Sequence, residues 1–281
     1  MLSASAGDAP RTDPAAAARV LSRALRDEVL RTGRSRGVIG LSGGLDSAVS
    51  LFLAAKALKP ENVVAFALPV GGSSRSSLEH ARAAAEKAGV ELRVVDLGPA
   101  AEAMEAALPG SAGHRVRRGN IAARARMIAL YDLSEAEKAL VIGTSDKTEI
   151  LLGYTTLWGD MAAAVQPLGD LYKTEVRALA RHMGVPEAIV AKPPSPDLWA
   201  DQTAEGELGF TYEEADRLLY QWLDCGRRPE DLIAAGVPEA LFRAVERRVV
   251  GSAFKRKMPV VLKISSRTVS MEYRLPRDAG T

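Results

Sequence analysis

The stretch Gly40-Leu41-Ser42-Gly43-Gly44-Leu45-Asp46-Ser47 has the residue types of a loop that holds phosphate groups. Adjacent glycines let the backbone approach a ligand and point several N–H groups in one direction, and the serines add hydroxyl donors. A helix that starts here would add about half a positive charge. Asp46 would repel a bound anion unless a cation lies between them, and Mg²⁺ is the natural mediator. This glycine loop (residues 40–47) therefore predicts a nucleotide–magnesium site.

Three other interpretations of the glycine loop carry less weight. A Walker A loop requires Lys and then Ser or Thr after its last glycine, whereas Leu45 and Asp46 follow here. The loop also matches G-x-S-x-G, the turn that bears the nucleophile of α/β-hydrolases. That fold places its histidine after nucleophile and acid, and the three histidines of this chain all lie far from its C-terminus: His80, His114 and His182. A plain glycine turn does not account for the whole string.

Extended and helical patterns alternate over the first two thirds of the chain. Short apolar strands are predicted at 37–41, 63–69, 92–97 and 140–143, with helices at 17–31, 47–58, 76–88, 100–108 and 118–132. This order indicates an α/β fold with a doubly wound parallel sheet whose two faces are both covered. Ligands of such folds bind beyond the carboxyl ends of the strands, where the glycine loop and the stretch 143–149 are expected.

Bulk properties bound the organisation and the partners of the chain. The 281 residues fit a single domain over 17–281, with a sheet core to about 170 and a helical part after it. Residues 1 to about 16 are predicted to be a disordered tail. A formal net charge of +2 gives no broad case for a nucleic-acid partner. The sequence has no apolar run of about 18 residues, so no membrane partner is expected. One cysteine, Cys225, suits the reducing cytoplasm.

Three further features point to chemistry, each beside a plainer alternative. Glu149 follows a predicted strand, as Asp46 does, and the two carboxylates could share Mg²⁺ on a bound triphosphate; alone, Glu149 could be a surface helix acid. The aromatic stretch 153–160, bounded by glycine, could be a substrate loop or contribute to the core. Lys173 begins a predicted helix and could hold an anion or be solvated.

Several separate motifs, in the correct order, carry a family resemblance. The glycine loop is similar to the pyrophosphate loop of the ATP-pyrophosphatases, and within that superfamily the chain looks like NAD synthetase. The resemblance runs from about residue 17 almost to the C-terminus and implies a Rossmann-like sheet with extra C-terminal helices. It rests on Gly119-Asn120-Ile121-Ala122-Ala123-Arg124-Ala125-Arg126-Met127, Gly143-Thr144-Ser145-Asp146-Lys147-Thr148-Glu149, 153–160, Leu171-Tyr172-Lys173-Thr174, Lys192-Pro193-Pro194-Ser195-Pro196-Asp197-Leu198, Gln202-Thr203, Glu205, Glu207-Leu208-Gly209, Tyr212-Glu213-Glu214 and Lys255-Arg256.

The resemblance implies a reaction and a role for each matched residue. The nicotinate carboxylate of deamido-NAD would attack the α-phosphate of ATP and release pyrophosphate; ammonia would then displace AMP from the acyl adenylate to give NAD. The glycine loop would hold the pyrophosphate, and Asp46 and Glu149 would bind Mg²⁺. The remaining implied roles are ATP contacts by Thr144, Lys173 and Ser195, substrate contacts by Asn120, Arg124 and Lys255, and proton acceptance from ammonium by Asp160. Asp46, Lys173 and Asp160 are the candidate catalytic residues.

The resemblance also implies a homodimer, because Arg124 and Lys255 match positions that reach the deamido-NAD bound by the partner subunit. Four positions depart from the pattern of the ammonia-dependent form: Leu157, Ala164, Ala204 and Phe254. They leave open the same chemistry on a different carboxylate, or a catalytically silent nucleotide-binding protein. The chain is too short to include an amidase domain, so nitrogen would arrive as free ammonia or from a separate glutaminase.

Overall fold

The computed structural model describes residues 9–71, 74–111, 113–195, 202–257 and the single positions 259, 262 and 264. Its strands are β1 (Arg36–Gly40), β2 (Val63–Ala67), β3 (Glu91–Val94) and β4 (Ala139–Ile142). Its α-helices are α1 (Pro14–Arg31), α2 (Leu45–Leu58), α3 (Arg75–Ala88), α4 (Gly98–Ala107), α5 (Arg115–Ala136), α6 (Lys147–Leu152), α7 (Lys173–Met183), α8 (Glu187–Val190), α9 (Ala204–Leu208), α10 (Tyr212–Leu219), α11 (Pro229–Ala234) and α12 (Glu239–Gly251). The motif positions 196–198 lie outside these ranges.

The four strands form one parallel sheet in the order β3-β2-β1-β4. In the centre, Gly37 of β1 pairs with Val63 of β2 on one side and with Leu140 of β4 on the other. At least one helix connects each strand to the next one in the chain, as parallel strands require. The predicted α/β fold with a doubly wound parallel sheet is confirmed, and the predicted strands differ from the observed ones by a few residues at their ends.

Both faces of the sheet are covered, which explains why its central strands are continuously apolar. Ile39 belongs to a core formed with α1, α2, α3 and α7, whereas its neighbour Val38 belongs to a core on the opposite face, against α5. Both side chains are fully buried. Successive side chains of a strand point to opposite faces, so a strand covered on both sides shows no polar alternation.

The N-terminal helix starts earlier than the sequence predicts. Pro14 begins α1, inside the segment expected to be a tail up to residue 16. The Asp13 carboxylate accepts hydrogen bonds from the N–H groups of Ala15 and Ala16, which satisfies donors that a helix start leaves free. Thr12 also donates its backbone N–H to Glu175 on α7. The predicted tail is therefore too long at its C-terminal end, because a capping aspartate and a proline define the helix start.

The C-terminal half forms a second apolar core. Tyr172, Tyr212, Leu219 and Phe242 are almost fully buried there, between α6, α10 and α12. No strand follows Ile142 within the described ranges. Helix α10 continues as a turn of π-helix over Tyr220–Asp224. None of the helices in the described ranges is long and apolar enough to cross a membrane.

The turn from β1 into α2 depends on one glycine. Gly43 has a φ of +78°, a region that disfavours residues with a Cβ. A Cβ at this position would lie 2.0 Å from the backbone oxygen of Ser77 in the first turn of α3. Glycine is thus required twice, once for the backbone conformation and once for the close approach of α3.

We expect Gly43→Ala to lower the free energy of unfolding, measured by urea denaturation. Gly33→Ala is the matched control, because Gly33 has a φ of +73° but open space around its Cβ position. The control should cost about 1 kcal/mol for conformational strain alone. Gly43→Ala should lower the free energy of unfolding by about 1–3 kcal/mol more than the control does, because α3 must move away from the added methyl group. Equal losses in the two variants would contradict the packing role of Gly43.

Candidate active site

A cavity of about 620 Å³ opens beyond the carboxyl ends of β1, β2 and β4. Gly40 and Ile142, the last residues of β1 and β4, lie on its wall, as expected for a parallel sheet. Most of the predicted site residues line this cavity: Gly40, Leu41, Ser42, Gly44, Leu45, Asp46, Ser47, Asn120, Thr144, Glu149, Asp160, Lys173, Ser195 and Lys255. The candidates Gly43 and Arg124 are absent from this lining.

The two serines of the glycine loop hold the loop in shape. The Ser42 and Ser47 hydroxyl oxygens lie 3.0 Å apart, and the Gly44 N–H donates to Ser42 Oγ at 3.2 Å. Ser47 Oγ in turn donates to the Gly44 carbonyl oxygen at 3.0 Å. Helix α2 begins directly afterwards without a side-chain cap. The loop therefore presents the uncapped positive end of a helix toward the cavity, an arrangement that favours an anion.

Helix α6 brings two acids to the same place. Asp146 caps this helix by accepting the Glu149 N–H at Oδ1, 2.8 Å away, and the Glu149 carboxylate bonds back to the Asp146 N–H. This reciprocal capping box fixes both side chains at the helix start. Asp46, Asp146 and Glu149 together form an acidic cluster, with one carboxylate oxygen of each within 4.8 Å of the others.

The Lys173 ammonium lies at the centre of the acidic cluster. Its Nζ is 2.8 Å from Asp46 Oδ2, 2.8 Å from Asp146 Oδ2 and 2.8 Å from Glu149 Oε1. The Lys173 side chain is only 1 % exposed and that of Asp146 is fully buried. The ammonium donates hydrogen bonds to Asp46 and Glu149, whereas Asp146 is an ion-pair partner only. Lys173 thus joins the glycine loop, α6 and α7 through charge.

Burial and mutual repulsion shift the pKa values of this group. Burial, together with the charge of Asp46, raises the pKa of Asp146 to about 7 although Lys173 opposes the change. Burial and the two aspartates raise the pKa of Glu149 well above its ordinary value. Burial lowers the pKa of Lys173, but the three carboxylates outweigh it and leave that pKa raised. The lysine is therefore charged at neutral pH, and the site binds positive charge strongly.

The acidic cluster has the donors that a hard divalent cation needs. Its ligand atoms are carboxylate oxygens, which Mg²⁺ prefers. Asp46 Oδ1 is buried and has no hydrogen-bond partner within the described ranges. A buried acceptor without a partner is costly, and a bound cation would satisfy it. The residues present fit Mg²⁺.

A second group of polar residues of the cavity lies around the stretch 153–160. The Asp160 carboxylate accepts the Thr156 N–H at 2.6 Å, and the Thr156 hydroxyl donates to Asn120 Oδ1 at 3.0 Å. Loss of hydration raises the pKa of Asp160. Lys255 Nζ donates to the carbonyl oxygens of Gly153 (2.8 Å) and Thr155 (2.7 Å). Lys255 thus fixes this stretch within its own chain.

Arg124 is exposed on α5 and donates to the carbonyl oxygen of Leu157 at 3.1 Å. Of the four positions that depart from the family pattern, Ala204 is buried beside the cavity and Phe254 is exposed. Ala164 bonds through its backbone N–H to Val141 at the sheet.

Several residues without a predicted role also lie at the site. Asp146 is the third acid of the cluster, and its spacing from Glu149 is the signal of a capping box that could have identified it. The Tyr212 ring lies 5.0 Å from Lys173 Nζ, and Gln166 Oε1 accepts the Ser145 N–H at 3.2 Å. Neither Tyr212 nor Gln166 has a local sequence signal, because each comes from a distant part of the chain.

Comparisons with known proteins agree with one another. The pattern of the NAD synthase family matches residues 17–259. The NH(3)-dependent NAD(+) synthetase of Chlorobium phaeovibrioides is 50% identical over 259 residues, which are 92% of this chain and 93% of that protein. The solved structure of NMN synthetase from Francisella tularensis has a TM-score of 0.80 at 33% identity and covers 90% of this chain and 99% of its own. An NH3-dependent NAD synthetase from Campylobacter jejuni has a TM-score of 0.77 at 31% identity, covering 90% and 100%.

Replacing Lys173 by methionine should destabilise the folded protein, because three carboxylates would then lie together without their cation. We expect the free energy of unfolding in EDTA to fall by about 3–5 kcal/mol. Lys147→Met is the matched control: Lys147 pairs with Asp224 at 2.8 Å nearer the surface, and its loss should cost at most about 1 kcal/mol. Adding Asp146→Asn to Lys173→Met should restore part of the stability. An undiminished stability of Lys173→Met would refute the central role of this ammonium.

Proposed function

The chain belongs to the NAD synthase family, and on that premise we propose that it amidates deamido-NAD to NAD at the expense of ATP, with ammonia as nitrogen donor. The observation that carries this proposal is the position of Lys173 and the acidic cluster beside the glycine loop. An anion-binding loop next to carboxylates suits a nucleotide phosphate with its metal ion. The identity to ammonia-dependent relatives supports the same reaction.

The reaction proceeds in two steps that share one acyl adenylate. In the first, a carboxylate oxygen of deamido-NAD attacks the α-phosphorus of ATP, and the bond to the bridging oxygen breaks to release pyrophosphate. In the second, ammonia attacks the acyl carbon, loses a proton and displaces AMP, which keeps the carboxylate oxygen. Activation is necessary because a free carboxylate is a poor acyl donor.

The glycine loop binds the leaving pyrophosphate. The uncapped start of α2 supplies N–H donors there, and Gly44 keeps a Cβ away from the ligand. The Ser42 and Ser47 hydroxyls, which bond within the loop, would turn toward the phosphates when the ligand binds. Gly43 contributes through the turn itself rather than by contact, since it is absent from the cavity wall. Donors held in place before the reaction stabilise charge as it develops on the phosphates. Thr144 and Ser195, also on the wall, contact ATP.

Asp46 and Glu149 hold Mg²⁺, with Asp146 close enough to contribute a third carboxylate. When bound, this ion supplies positive charge that stabilises the negative charge of the phosphates. Lys173 keeps the three carboxylates together before nucleotide binds, and its charge then lies next to the phosphate groups.

Asp160 is the candidate acceptor of the ammonium proton. It lines the cavity at the stretch 153–160. Its raised pKa brings the carboxylate closer to the strength that a general base needs near neutral pH. Asn120 and Lys255 lie around the same stretch and support binding of the dinucleotide.

The decisive experiment is a coupled assay of the purified protein with MgATP, deamido-NAD and ammonium chloride, following NAD formation. We expect turnover at millimolar ammonium and no turnover when glutamine is the only nitrogen source. Turnover with glutamine alone would contradict ammonia as the nitrogen donor. Nicotinate mononucleotide replaces deamido-NAD in a second arm, since one similar structure is an NMN synthetase. Pyrophosphate release only in that arm would overturn the proposed substrate.

In the same assay, Asp46→Asn and Glu149→Gln should lower kcat/KM at least about 100-fold, because each removes a charged metal ligand. Asp27→Asn is the matched control, as Asp27 pairs only weakly with Arg23 on the surface of α1. Unchanged turnover in the two cluster variants would remove the metal assignment.

A homodimer is supported by an apolar stripe on α5. Ile128 is 62% exposed and Tyr131 42% exposed, and Arg124 lies one helical turn before Ile128 on the same face. Met104 and Leu108, on and just after the neighbouring α4, extend the exposed apolar surface. A partner copy that covers this surface would place Arg124 at the interface, where it would reach the partner's deamido-NAD.

The cytoplasmic location stays a prediction.

Sedimentation at micromolar concentration should give the mass of a dimer. Ile128→Glu should shift the protein toward monomer, because a buried charge at an interface without a partner is costly. Val20→Glu is the control, since Val20 is 59% exposed on α1, a different helix. A monomeric wild-type protein, or dissociation by the control variant alone, would contradict this interface.

A further inference from the structure

Side chains from two other helices satisfy the first N–H groups of α7. The Lys173 N–H donates to Thr148 Oγ1 on α6 at 3.0 Å, and the Thr174 N–H donates to Asp216 Oδ2 on α10 at 2.8 Å. The Thr148 hydroxyl donates to Asp216 Oδ1 at 2.5 Å, which closes the network. Thr148 is fully buried and Asp216 is 1% exposed. The start of α7 is therefore fixed from outside, by a hydroxyl and a carboxylate.

Helix α10 contacts the first residues of α7 at two places. Asp216 acts on the backbone at the start of α7, whereas the Tyr212 ring lies 5.0 Å from the Lys173 ammonium. Residues four apart on a helix share one face, so a single face of α10 bears both contacts. A carboxylate at a helix start is also favourable to the helix dipole.

This arrangement matters because the lysine side chain is long and flexible. The ammonium must stay 2.8 Å from three carboxylates on two other elements, which requires a fixed Cα position. Thr148 precedes Glu149 directly, so its hydroxyl connects the backbone of Lys173 to the helix that bears a predicted metal ligand. The hydroxyl thereby sets the spacing between the α6 carboxylate and the α7 ammonium.

We propose that Asp216, acting through Thr148, is a positioning residue that holds Lys173 in register with the acidic cluster and so determines the affinity for MgATP. This inference rests on the proposed function, because it assigns Lys173 to the nucleotide site. Residues that orient the groups around a metal site typically change affinity or activity by about 10–100-fold when they are removed.

A general structural link between the same helices is the competing explanation, and the chain offers a control for it. Asp224 accepts hydrogen bonds from Lys147 Nζ on α6 (2.8 Å) and from the Tyr172 hydroxyl next to α7 (3.1 Å). It thus connects the C-terminal helices to α6 and α7 without touching Thr148 or Lys173. Asp224→Asn weakens a link between these elements and leaves the Lys173 network intact.

The test compares the wild type with Thr148→Val, Thr148→Ser, Asp216→Asn and Asp224→Asn. Calorimetry with Mg²⁺ and α,β-methylene ATP gives the Kd, and the coupled assay gives kcat and both KM values. Thr148→Val keeps the shape but removes the hydroxyl, so its Kd and its KM for MgATP should rise about 10–100-fold. The KM for deamido-NAD should stay within about twofold, as expected when only the nucleotide site is disturbed.

The other three variants test the role of the hydroxyl and of the two aspartates. Thr148→Ser should keep the wild-type Kd for MgATP, because serine keeps the hydroxyl. Asp216→Asn keeps the shape and one acceptor oxygen, so its loss should be intermediate; this variant also serves if Thr148→Val does not fold. Asp224→Asn should bind MgATP as the wild type does.

The proposal is overturned if Thr148→Val binds MgATP normally, if Asp224→Asn weakens binding equally, or if both KM values stay constant while activity falls with the folded fraction. If the wild type binds MgATP but forms no NAD, the proposed function is contradicted and the positioning role of Asp216 is not. A wild type that does not bind MgATP would overturn both.

Discussion

The position of one buried ammonium organises this protein. Lys173 is almost completely inaccessible to water, yet it carries its charge, because three carboxylates surround it at 2.8 Å. Neither the acidic cluster nor the Lys173 ammonium would be stable here without the other. Three close carboxylates repel one another, and burying an unpaired ammonium costs much free energy. The glycine loop, α6 and α7 must therefore assemble together. Asp46, near the end of the glycine loop, is bonded to a residue 127 positions later in the sequence.

Two apolar cores meet at this charge. The sheet with α1, α2 and α7 contributes Asp46 and Lys173. The C-terminal core contributes the face of α10 that bears Tyr212, next to the Lys173 ammonium, and Asp216, which accepts the N–H of the adjacent Thr174. A charge in a dry environment requires well-fixed partners. At the start of α7, hydrogen bonds connect the backbone N–H groups of Lys173 and Thr174, the Thr148 hydroxyl and the Asp216 carboxylate. The C-terminal helices therefore help to position the residues of the site.

The same geometry explains how one cavity can serve two kinds of chemistry. The helix start of α2 and two acids of the cluster line this cavity, and their opposite charges suit phosphates bridged by a cation. Asp160 lines the same cavity, in a stretch whose carbonyl oxygens Lys255 binds, and its raised pKa suits the proposed acceptance of an ammonium proton.

The sequence by itself determined the local features: the parallel sheet from apolar runs, the glycine loop from its composition, and the convergence of Asp46 and Glu149 from their places after two strands. These follow from short-range rules of periodicity and of strand ends. Only the tertiary structure decided that the Lys173 ammonium lies 2.8 Å from three carboxylates, with Asp146 as the third. It also decided that Gly43 serves the packing of α3 and that Lys255 bonds within its own chain. Each of these depends on residues far apart in sequence, and long-range contacts leave no local pattern to read. The capping aspartate that begins α1 is the exception, a local signal for a helix start inside the predicted tail.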